Sequence, residues 1–326
     1  MTPGGQTKAP LAVVVMAAGQ GTRMKSKLPK ALHKAAGRSL LEHVLRATAP
    51  LNPEHTVIII GYGAEQVKED VKNYDVSFVL QDFDEGYGTG MALKQAERAL
   101  PGFVGNVMAL NGDGPLLKTE TLAQLVAEQG GQDGMTLVTC LVDEPTGMGR
   151  IIRDATGNVD NIVEEKEATP DQKHIKETNP GIYLFDATVF DKARRLSKDN
   201  AAGEYYITDL PRIYLQEGSP VRGMRVEDET EVLSVNDRKH LTSIERILRE
   251  RIRDTWLAAG VTMISPETTF IDDTVFIEPD VVLEPGVILK GETRIGEGAT
   301  VGAYAYLQDA QIAEGEVVPP HTVRNG

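Results

Sequence analysis

Apolar and polar positions along the chain follow two different periods. Up to about residue 236, short β-branched runs such as residues 13–15 and 57–60 alternate with amphipathic stretches of helical spacing. This alternation predicts an α/β domain whose sheet is mostly parallel, with helices on both faces. Beyond residue 260, apolar side chains recur every six positions, at Ile271, Ile277, Leu283, Leu289, Ile295, Val301 and Leu307. Small or β-branched residues stand two positions before each, and such a hexapeptide repeat predicts a parallel β-helix of short coils.

These patterns divide the chain into four predicted segments. Residues 1–10 are rich in proline and glycine and are expected to be a disordered lead-in. Residues 11–236 form the α/β domain, and residues 261–326 form a short β-helix of roughly three coils. Between them, residues 237–260 have apolar positions at helical spacing, which predicts a linking helix with Asp237 as its N-cap.

Composition excludes several classes of protein. A net charge of −14 over 326 residues argues against a general nucleic-acid binder, which needs basic surface. The single cysteine, Cys140, forms no internal disulfide and no thiolate metal cluster, and its strand-like surroundings predict a core position. No apolar run is long enough to cross a membrane. Residues 8–18 faintly resemble a signal peptide, but cleavage there would destroy the loop that follows, so we expect a cytoplasmic protein.

The loop after the first strand is the strongest candidate for chemistry. Gly19 and Gly21 allow successive backbone N–H groups to approach a phosphate, and Arg23 and Lys30 add positive charge beside them. The loop is not a dinucleotide fingerprint, because Met24 stands where a third small residue is needed. It is not a Walker P-loop either, since no Gly-Lys-Ser/Thr follows. The pattern therefore suits a nucleoside triphosphate bound in another way.

Polar residues at later strand ends support the same interpretation. Gln81 begins a loop that continues into residues 86–90, which are rich in glycine, and Thr89 is expected to cap the next helix. Asp113 lies between two glycines at the end of an apolar strand, where it could reach a ligand. Since ligands of parallel sheets bind at the carboxyl ends of the strands, these residues are expected near the glycine loop.

The run Met-Ala-Ala-Gly-Gln-Gly-Thr-Arg-Met with Leu-Pro-Lys-Ala-Leu, within residues 16–32, resembles the signature of the sugar-1-phosphate nucleotidylyltransferases. It is most similar to the N-acetylglucosamine-1-phosphate uridylyltransferase branch. The resemblance implies a Rossmann-like nucleotidyltransferase domain followed by a short left-handed β-helix. It also implies transfer of UMP from UTP to N-acetylglucosamine-1-phosphate with release of pyrophosphate, Mg²⁺ as cofactor, and a role in cell-envelope precursor synthesis.

The same resemblance assigns roles to individual positions. Arg23 and Lys30 would be the catalytic cations, and Mg²⁺ would be held by Asp113 and Asn236. The sugar would contact Gly149, Glu164 and Asn179. Residues 203–209 also match the branch, and we interpret them as positioning the helix that follows. The expected nucleotide-binding residues are Ala17, Ala18, Gly19, Gly21, Gln81, Gly88, Thr89 and Gly112.

Departures from the branch keep alternatives open. Met91 replaces a usual histidine, Pro180 stands in an expected Asn-Thr-Gly, and the base loop is about two residues longer. Another pair, such as glucose-1-phosphate with UTP or dTTP, is therefore retained, as is a catalytically silent regulatory protein that binds nucleotide sugars. The β-helix is shorter than in bifunctional members, so no acetyltransferase activity is expected. By resemblance, it would assemble a homotrimer.

Overall fold

The computed structural model describes residues 9–326, and these separate into two compact units. The first comprises residues 9–32 and 40–234, and the second comprises residues 33–39 and 235–326. The predicted lead-in falls mainly on residues 1–8, which lie outside the described residues. No helix in the described part of the chain is long and apolar enough to cross a membrane.

Strands and helices alternate along the first part of the chain, as the patterning predicts. The strands are β1 (Leu11–Met16), β2 (Lys34–Ala35), β3 (Arg38–Ser39), β4 (His55–Ile60), β5 (Ser77–Leu80), β6 (Asn106–Asn111), β7 (Met135–Leu141), β8 (Gly149–Arg153), β9 (Val159–Val163), β10 (Glu177–Asn179), β11 (Tyr183–Phe185) and β12 (Val221–Val226). The helices are α1 (Leu40–Thr48), α2 (Ala64–Asp70), α3 (Thr89–Ala96), α4 (Thr119–Gln129), α5 (Pro170–Lys173), α6 (Val189–Ala193), α7 (Leu210–Gln216) and α8 (Arg238–Ala258).

One large sheet organises the first unit. Its strand order is β5-β4-β1-β6-β11-β7-β10-β8-β9, with β12 paired to β7. Strands β5, β4, β1 and β6 are parallel neighbours, whereas β11, β10, β8 and β9 are joined by antiparallel pairing. The parallel strands thus carry the glycine loop and the Gly112-Asp113 segment at the same edge. The predicted α/β fold is confirmed.

Apolar side chains pack on both faces of this sheet. Along β1, Val13 and Val15 belong to the core on one face, and Ala12 and Val14 belong to the core on the other. This follows from the twofold alternation of side chains along a strand, and it explains why the run is apolar throughout. Cys140 of β7 is buried, as predicted, and burial raises the pKa of its thiol to about 11.

The second unit contains helix α8 and a parallel β-helix. Asp237 caps α8, as predicted, because its carboxylate accepts hydrogen bonds from the N–H groups of Lys239 and His240 at 2.9 Å. Every apolar position of the six-residue repeat is buried, from Ile271 to Leu307. The coils are built from β13 (Thr262–Met263), β14 (Phe270–Ile271), β15 (Phe276–Ile277), β16 (Val282–Leu283), β17 (Ile288–Lys290), β18 (Arg294–Ile295), β19 (Thr300–Val301), β20 (Tyr306–Gln308), β21 (Gln311–Ile312), β22 (Val317–Val318) and β23 (Val323–Asn325).

Parallel pairing between successive coils confirms the β-helix. The strands form three sheets, in the orders β13-β16-β19-β22, β14-β17-β20-β23 and β15-β18-β21. Each sheet therefore takes one strand from each coil. The hairpin β2–β3 also belongs to this unit, since the Ala36 N–H donates to Glu245 at 2.6 Å and Arg38 pairs with Asp273.

Candidate functional site

The glycine loop follows β1, and backbone hydrogen bonds fix its first residues to the end of β4 and the turn after it. The Ala17 N–H donates to the Ile59 carbonyl at 2.9 Å, and the Tyr62 N–H donates to the Ala18 carbonyl at 3.1 Å. A Cβ atom at Gly19 would meet no atom within 4 Å. The open space beside Gly19 therefore faces the cavity described below, and a ligand could approach the backbone there.

Gly21 has a different role, because it makes room for Lys30. Its φ of +69° lies in the left-handed region, and a Cβ there would come within 2.6 Å of the Lys30 Cβ. Any other residue would push the lysine stem away from the loop. This contact explains why a glycine stands at position 21. The sequence alone does not reveal the contact.

Lys30 forms an ion pair with Asp113. The ammonium group contacts the Oδ2 atom of the carboxylate, and both side chains are less than one-fifth exposed. Asp113 follows β6 and Lys30 follows the glycine loop, so the pair joins two neighbouring parallel strands at their carboxyl ends. Two groups predicted from separate motifs are therefore in direct contact.

The other oxygen of Asp113 fits a divalent cation. Its Oδ1 atom is buried and has no hydrogen-bond partner. A buried carboxylate oxygen in that state is costly unless a ligand satisfies it. The described residues contain no group of three or more His, Cys, Asp or Glu side chains suited to a metal. A site with a single carboxylate agrees with Mg²⁺, which takes few protein oxygens and completes its shell with phosphates and water.

The predicted base loop lies between β5 and α3. Gln81 is buried at the end of β5, and its N–H donates to the Ile60 carbonyl at 2.8 Å. The prediction that Thr89 caps the following helix is wrong. Thr89 is the first residue of α3, and its Oγ1 atom instead accepts a hydrogen bond from the Ile207 N–H at 3.2 Å.

A segment far along the chain braces this loop. The Tyr205 N–H donates to the Tyr87 carbonyl and the Gly90 N–H donates to the Tyr205 carbonyl, both at 2.8 Å. Gly88 has a φ of +107°, and a Cβ there would lie 2.3 Å from the Tyr205 carbonyl oxygen. Residues 203–209 therefore clasp the base loop in addition to leading into α7, a contact that sequence reasoning missed.

The three predicted sugar-side residues lie on or directly after the antiparallel strands. Gly149 and Asn179 face each other across the β8–β10 pair. The Asn179 side chain donates to the Tyr183 hydroxyl at 2.7 Å and accepts from the Gly181 N–H at 3.2 Å. Both polar ends of the Asn179 amide are thus oriented, one by Tyr183 of β11 and the other by the turn that follows β10.

Glu164 follows β9 and accepts a hydrogen bond from the Thr208 hydroxyl at 2.8 Å. Burial raises the pKa of Glu164, and the Thr208 hydrogen bond only partly opposes that shift. Burial, together with the Glu164 charge, also raises the pKa of Tyr183. Tyr183 thus lies between the two sugar-side residues in its interactions, since its hydroxyl accepts from Asn179 and its pKa responds to the charge of Glu164.

A single cavity collects most of the nucleotide-side predictions. It has a volume of about 750 Å³ and lies entirely within the first unit. This volume falls in the range of small-molecule sites. Its lining includes the predicted residues Ala17, Ala18, Gly19, Lys30, Gln81, Gly88, Thr89, Gly112 and Asp113.

Other predicted residues lie elsewhere. Arg23 is exposed on a short 3₁₀ turn, Thr22–Met24, next to the glycine loop, and it does not line this cavity. Asn236 precedes α8 and belongs to the second unit. Its pairing with Asp113 on one metal stays a prediction.

The cavity also contains residues that sequence reasoning did not single out. Tyr62, Phe83, Tyr87, Asn111 and Glu204 all contribute to its lining. Asn111 ends β6, and Tyr62 lies two residues after β4. Both could have been predicted from their place at the carboxyl end of a parallel strand. Phe83 and Tyr87 lie in the loop between β5 and α3, where no periodic pattern marks them.

A buried carboxylate ties the Asp113 segment to the end of the first unit. Glu231 is 5% exposed, accepts from Lys118 at 2.8 Å and accepts from the Thr121 hydroxyl at 2.5 Å. Lys118 also pairs with Asp228 at 3.0 Å. Glu231 and Asp113 line the same small pocket. This network is expected to set the position of the loop that carries Asp113.

Comparison with known proteins agrees with this geometry. The sequence profile of the MobA-like NTP transferase domain matches residues 13–211. That range covers the glycine loop, the base loop, Asp113 and the sugar-side strands.

Curated relatives match nearly the whole chain. The bifunctional protein GlmU of Thermus thermophilus is 44% identical over 313 residues, which cover 96% of this chain and 68% of the relative. The GlmU proteins of Solibacter usitatus and Thermobifida fusca are 42% and 43% identical, over 94% and 96% of this chain and 66% of each relative. The chain thus spans about two thirds of the length of the curated relatives it matches.

Proposed function

Because the chain belongs to the MobA-like NTP transferase domain family, we propose that it transfers the uridylyl group of UTP to N-acetylglucosamine-1-phosphate and releases pyrophosphate. The observation that carries this proposal is the cavity in which the glycine loop, the base loop, Lys30 and Asp113 meet. A phosphate cradle, a base-contacting loop, a cation and a carboxylate are the parts that nucleotidyl transfer needs.

The reaction is an in-line displacement at the α-phosphorus of UTP. An oxygen of the sugar phosphate forms the new P–O bond, and the bond to the pyrophosphate oxygen breaks. The nucleophile is already an anion, so no general base is required. The protein contributes position and neutralising charge, which together account for most of the catalysis in phosphoryl transfer.

Each charged residue has a proposed part. Lys30 neutralises the transferring α-phosphate, and Arg23 binds the departing pyrophosphate. Asp113 would hold Mg²⁺, with Asn236 as the second predicted ligand, and the cation would supply Lewis-acid neutralisation of phosphate charge. Lys30 pairs with Asp113, so a cation held by Asp113 would compete with the ammonium group and leave it able to pair with phosphate.

The sugar is proposed to lie against Gly149, Glu164 and Asn179. Gly149 is buried, and a Cβ there would lie 3.2 Å from Ile162 and 3.6 Å from the Cβ of Asn179, so a larger residue would disturb this side of the site. Glu164 can accept a hydrogen bond from a sugar hydroxyl. Pro180 has no N–H to donate, so specificity on this side depends on these residues and on the Gly181 turn.

We also propose a homotrimer in the cytoplasm, assembled through the β-helix. In support, the second unit exposes large apolar side chains, including Ile264, Phe270 and Phe276, each more than 40% exposed. Sedimentation equilibrium of the purified chain should give three times the mass of one chain. A mass equal to that of a single chain would overturn the trimer.

The substrate assignment is tested by pyrophosphate release with Mg²⁺. UTP, dTTP, ATP and GTP should each be combined with N-acetylglucosamine-1-phosphate, glucosamine-1-phosphate and glucose-1-phosphate. The proposal predicts a strong preference for UTP with N-acetylglucosamine-1-phosphate. Preference for another sugar would reassign the substrate and point to Met91 and Pro180. Tight UTP binding with no release by any pair would favour a regulatory role.

A further inference from the structure

Two aromatic rings stack on each other at the wall of the cavity. The Phe83 and Tyr87 ring centroids lie 5.1 Å apart with an angle of 27° between the planes. Both side chains line the cavity, although 38% of Phe83 and 59% of Tyr87 is exposed. Folding does not explain this exposure, because large aromatic side chains gain stability mainly by burial.

The loop that carries the two rings is firmly held. The Asp82 backbone exchanges two hydrogen bonds with the buried side chain of Gln95, at 2.8 and 2.9 Å. Glu85 pairs with Arg98 at 2.6 Å, and the Tyr87 carbonyl accepts from Tyr205. The rings are therefore displayed on a braced loop, and little ordering is needed when a ligand contacts them.

Charge decides which part of a nucleotide could lie there. Asp82, Asp84 and Glu85 surround the two rings in the sequence, and Glu204 lines the same cavity. Arg98 neutralises Glu85, but the region as a whole stays acidic and would repel a triphosphate. Lys30 and the glycine loop supply the phosphate side instead. A neutral, planar base is the part that suits an acidic wall with exposed rings.

We propose that the Phe83–Tyr87 pair is a stacking platform for the nucleobase. The proposal rests on the proposed nucleotidyltransferase function in that it takes a nucleoside triphosphate as the ligand. Every base has a π-face, so the platform adds affinity for nucleotides in general and does not choose among them. Choice of base is left to hydrogen bonding by Gln81 and the backbone of residues 88–89.

Isothermal titration calorimetry of the full chain tests the platform. Three probes are used: UTP, ATP and inorganic tripolyphosphate, which has phosphates but no base. Tyr87→Ala should weaken UTP binding roughly 5- to 150-fold, the range found when a stacking side chain is truncated. ATP binding should weaken in the same range, and tripolyphosphate binding should stay unchanged. Tyr87→Phe should restore wild-type affinity, because it keeps the ring.

Tyr304→Ala is the matched control, since Tyr304 is also an exposed aromatic residue, at 63%, but lies in the second unit. It should leave all three affinities unchanged. Unchanged UTP affinity in Tyr87→Ala, or an equal loss for tripolyphosphate, would overturn the platform while leaving the proposed function intact. If the wild-type protein binds UTP and ATP no more tightly than tripolyphosphate, the platform and the proposed function are both overturned.

Discussion

The ammonium group of Lys30 forms an ion pair with the Oδ2 atom of Asp113. One is the proposed catalytic cation and the other the proposed metal ligand, and the two charges neutralise each other. A cation on Asp113 and a phosphate on Lys30 would replace the two halves of the pair. This exchange couples metal binding to the release of Lys30. It predicts that removing the Lys30 charge strengthens metal binding but reduces turnover.

Replacing Lys30 by methionine should separate these effects. We expect kcat to fall at least tenfold, about 1.4 kcal/mol of transition-state stabilisation. Binding of Mn²⁺ to the ligand-free protein should become tighter, because the competing positive charge beside Asp113 is gone. Steady-state kinetics and electron paramagnetic resonance of free Mn²⁺ measure the two effects, with Lys30→Arg as the control that keeps the charge. Weaker Mn²⁺ binding in Lys30→Met would contradict the coupling.

Asp113→Asn removes one negative charge and keeps the shape of the side chain. We expect turnover to be lost, because an amide is a poor ligand for Mg²⁺ compared with a carboxylate. The melting temperature should fall, because the mostly buried ammonium group of Lys30 loses the charge that neutralises it. Normal activity would refute the assignment of Asp113 to the metal.

Gly88→Ala should disturb the base loop and the fold together. The new Cβ would lie 2.3 Å from the Tyr205 carbonyl oxygen, at a φ of +107° that disfavours alanine. Strain of this kind costs about 1–3 kcal/mol. Urea denaturation should show that loss, and the KM for UTP should rise.

Gly19→Ala is the matched control for that loss of stability. Its Cβ would meet no protein atom within 4 Å, so the free energy of unfolding should stay close to that of the wild type. The KM for UTP should nevertheless rise, because Gly19 lines the cavity and the methyl group would occupy ligand space. A destabilised Gly19→Ala protein with unchanged KM would contradict the position of the phosphate cradle.

Asp228 predicts a pH dependence of stability. Hydrogen bonds from Thr230, together with Lys118, lower the pKa of this carboxyl from 3.8 to about 2. A lowered pKa means that its stabilisation is present above pH 3.8 and is lost as the pH falls toward 2. Asp228→Asn should therefore be less stable at neutral pH, by about 0.5–1 kcal/mol given its exposure to solvent. Urea titrations across this range test it, and an equal acid-induced loss in both proteins would be the contrary result.

Local patterns were sufficient for much of the fold. The six-residue repeat predicts the buried positions of the β-helix because each coil repeats the same inward-facing side chain, from Ile271 to Leu307. The glycine loop was found for a similar reason, since a strand, two glycines and a lysine lie within a short stretch. Such features depend on neighbours in the sequence.

Contacts between distant segments could not be predicted in this way. The clasp of Tyr205 on the base loop joins residues more than a hundred positions apart, and Glu231 reaches back to Lys118 and Thr121. The hairpin β2–β3 lies in the second unit although it follows Lys30 closely in the chain. These contacts depend on how the elements pack, and no single residue pattern encodes them.

The most direct test of the account follows the α-phosphate of UTP. Wild-type protein is incubated with Mg²⁺, N-acetylglucosamine-1-phosphate and UTP labelled at the α-phosphorus, and the products are separated. In-line uridylyl transfer predicts that the label appears in the nucleotide sugar and that the released pyrophosphate is unlabelled. Label that stays in UTP, or that appears in UDP or UMP without a nucleotide sugar, would contradict the proposed reaction at this site.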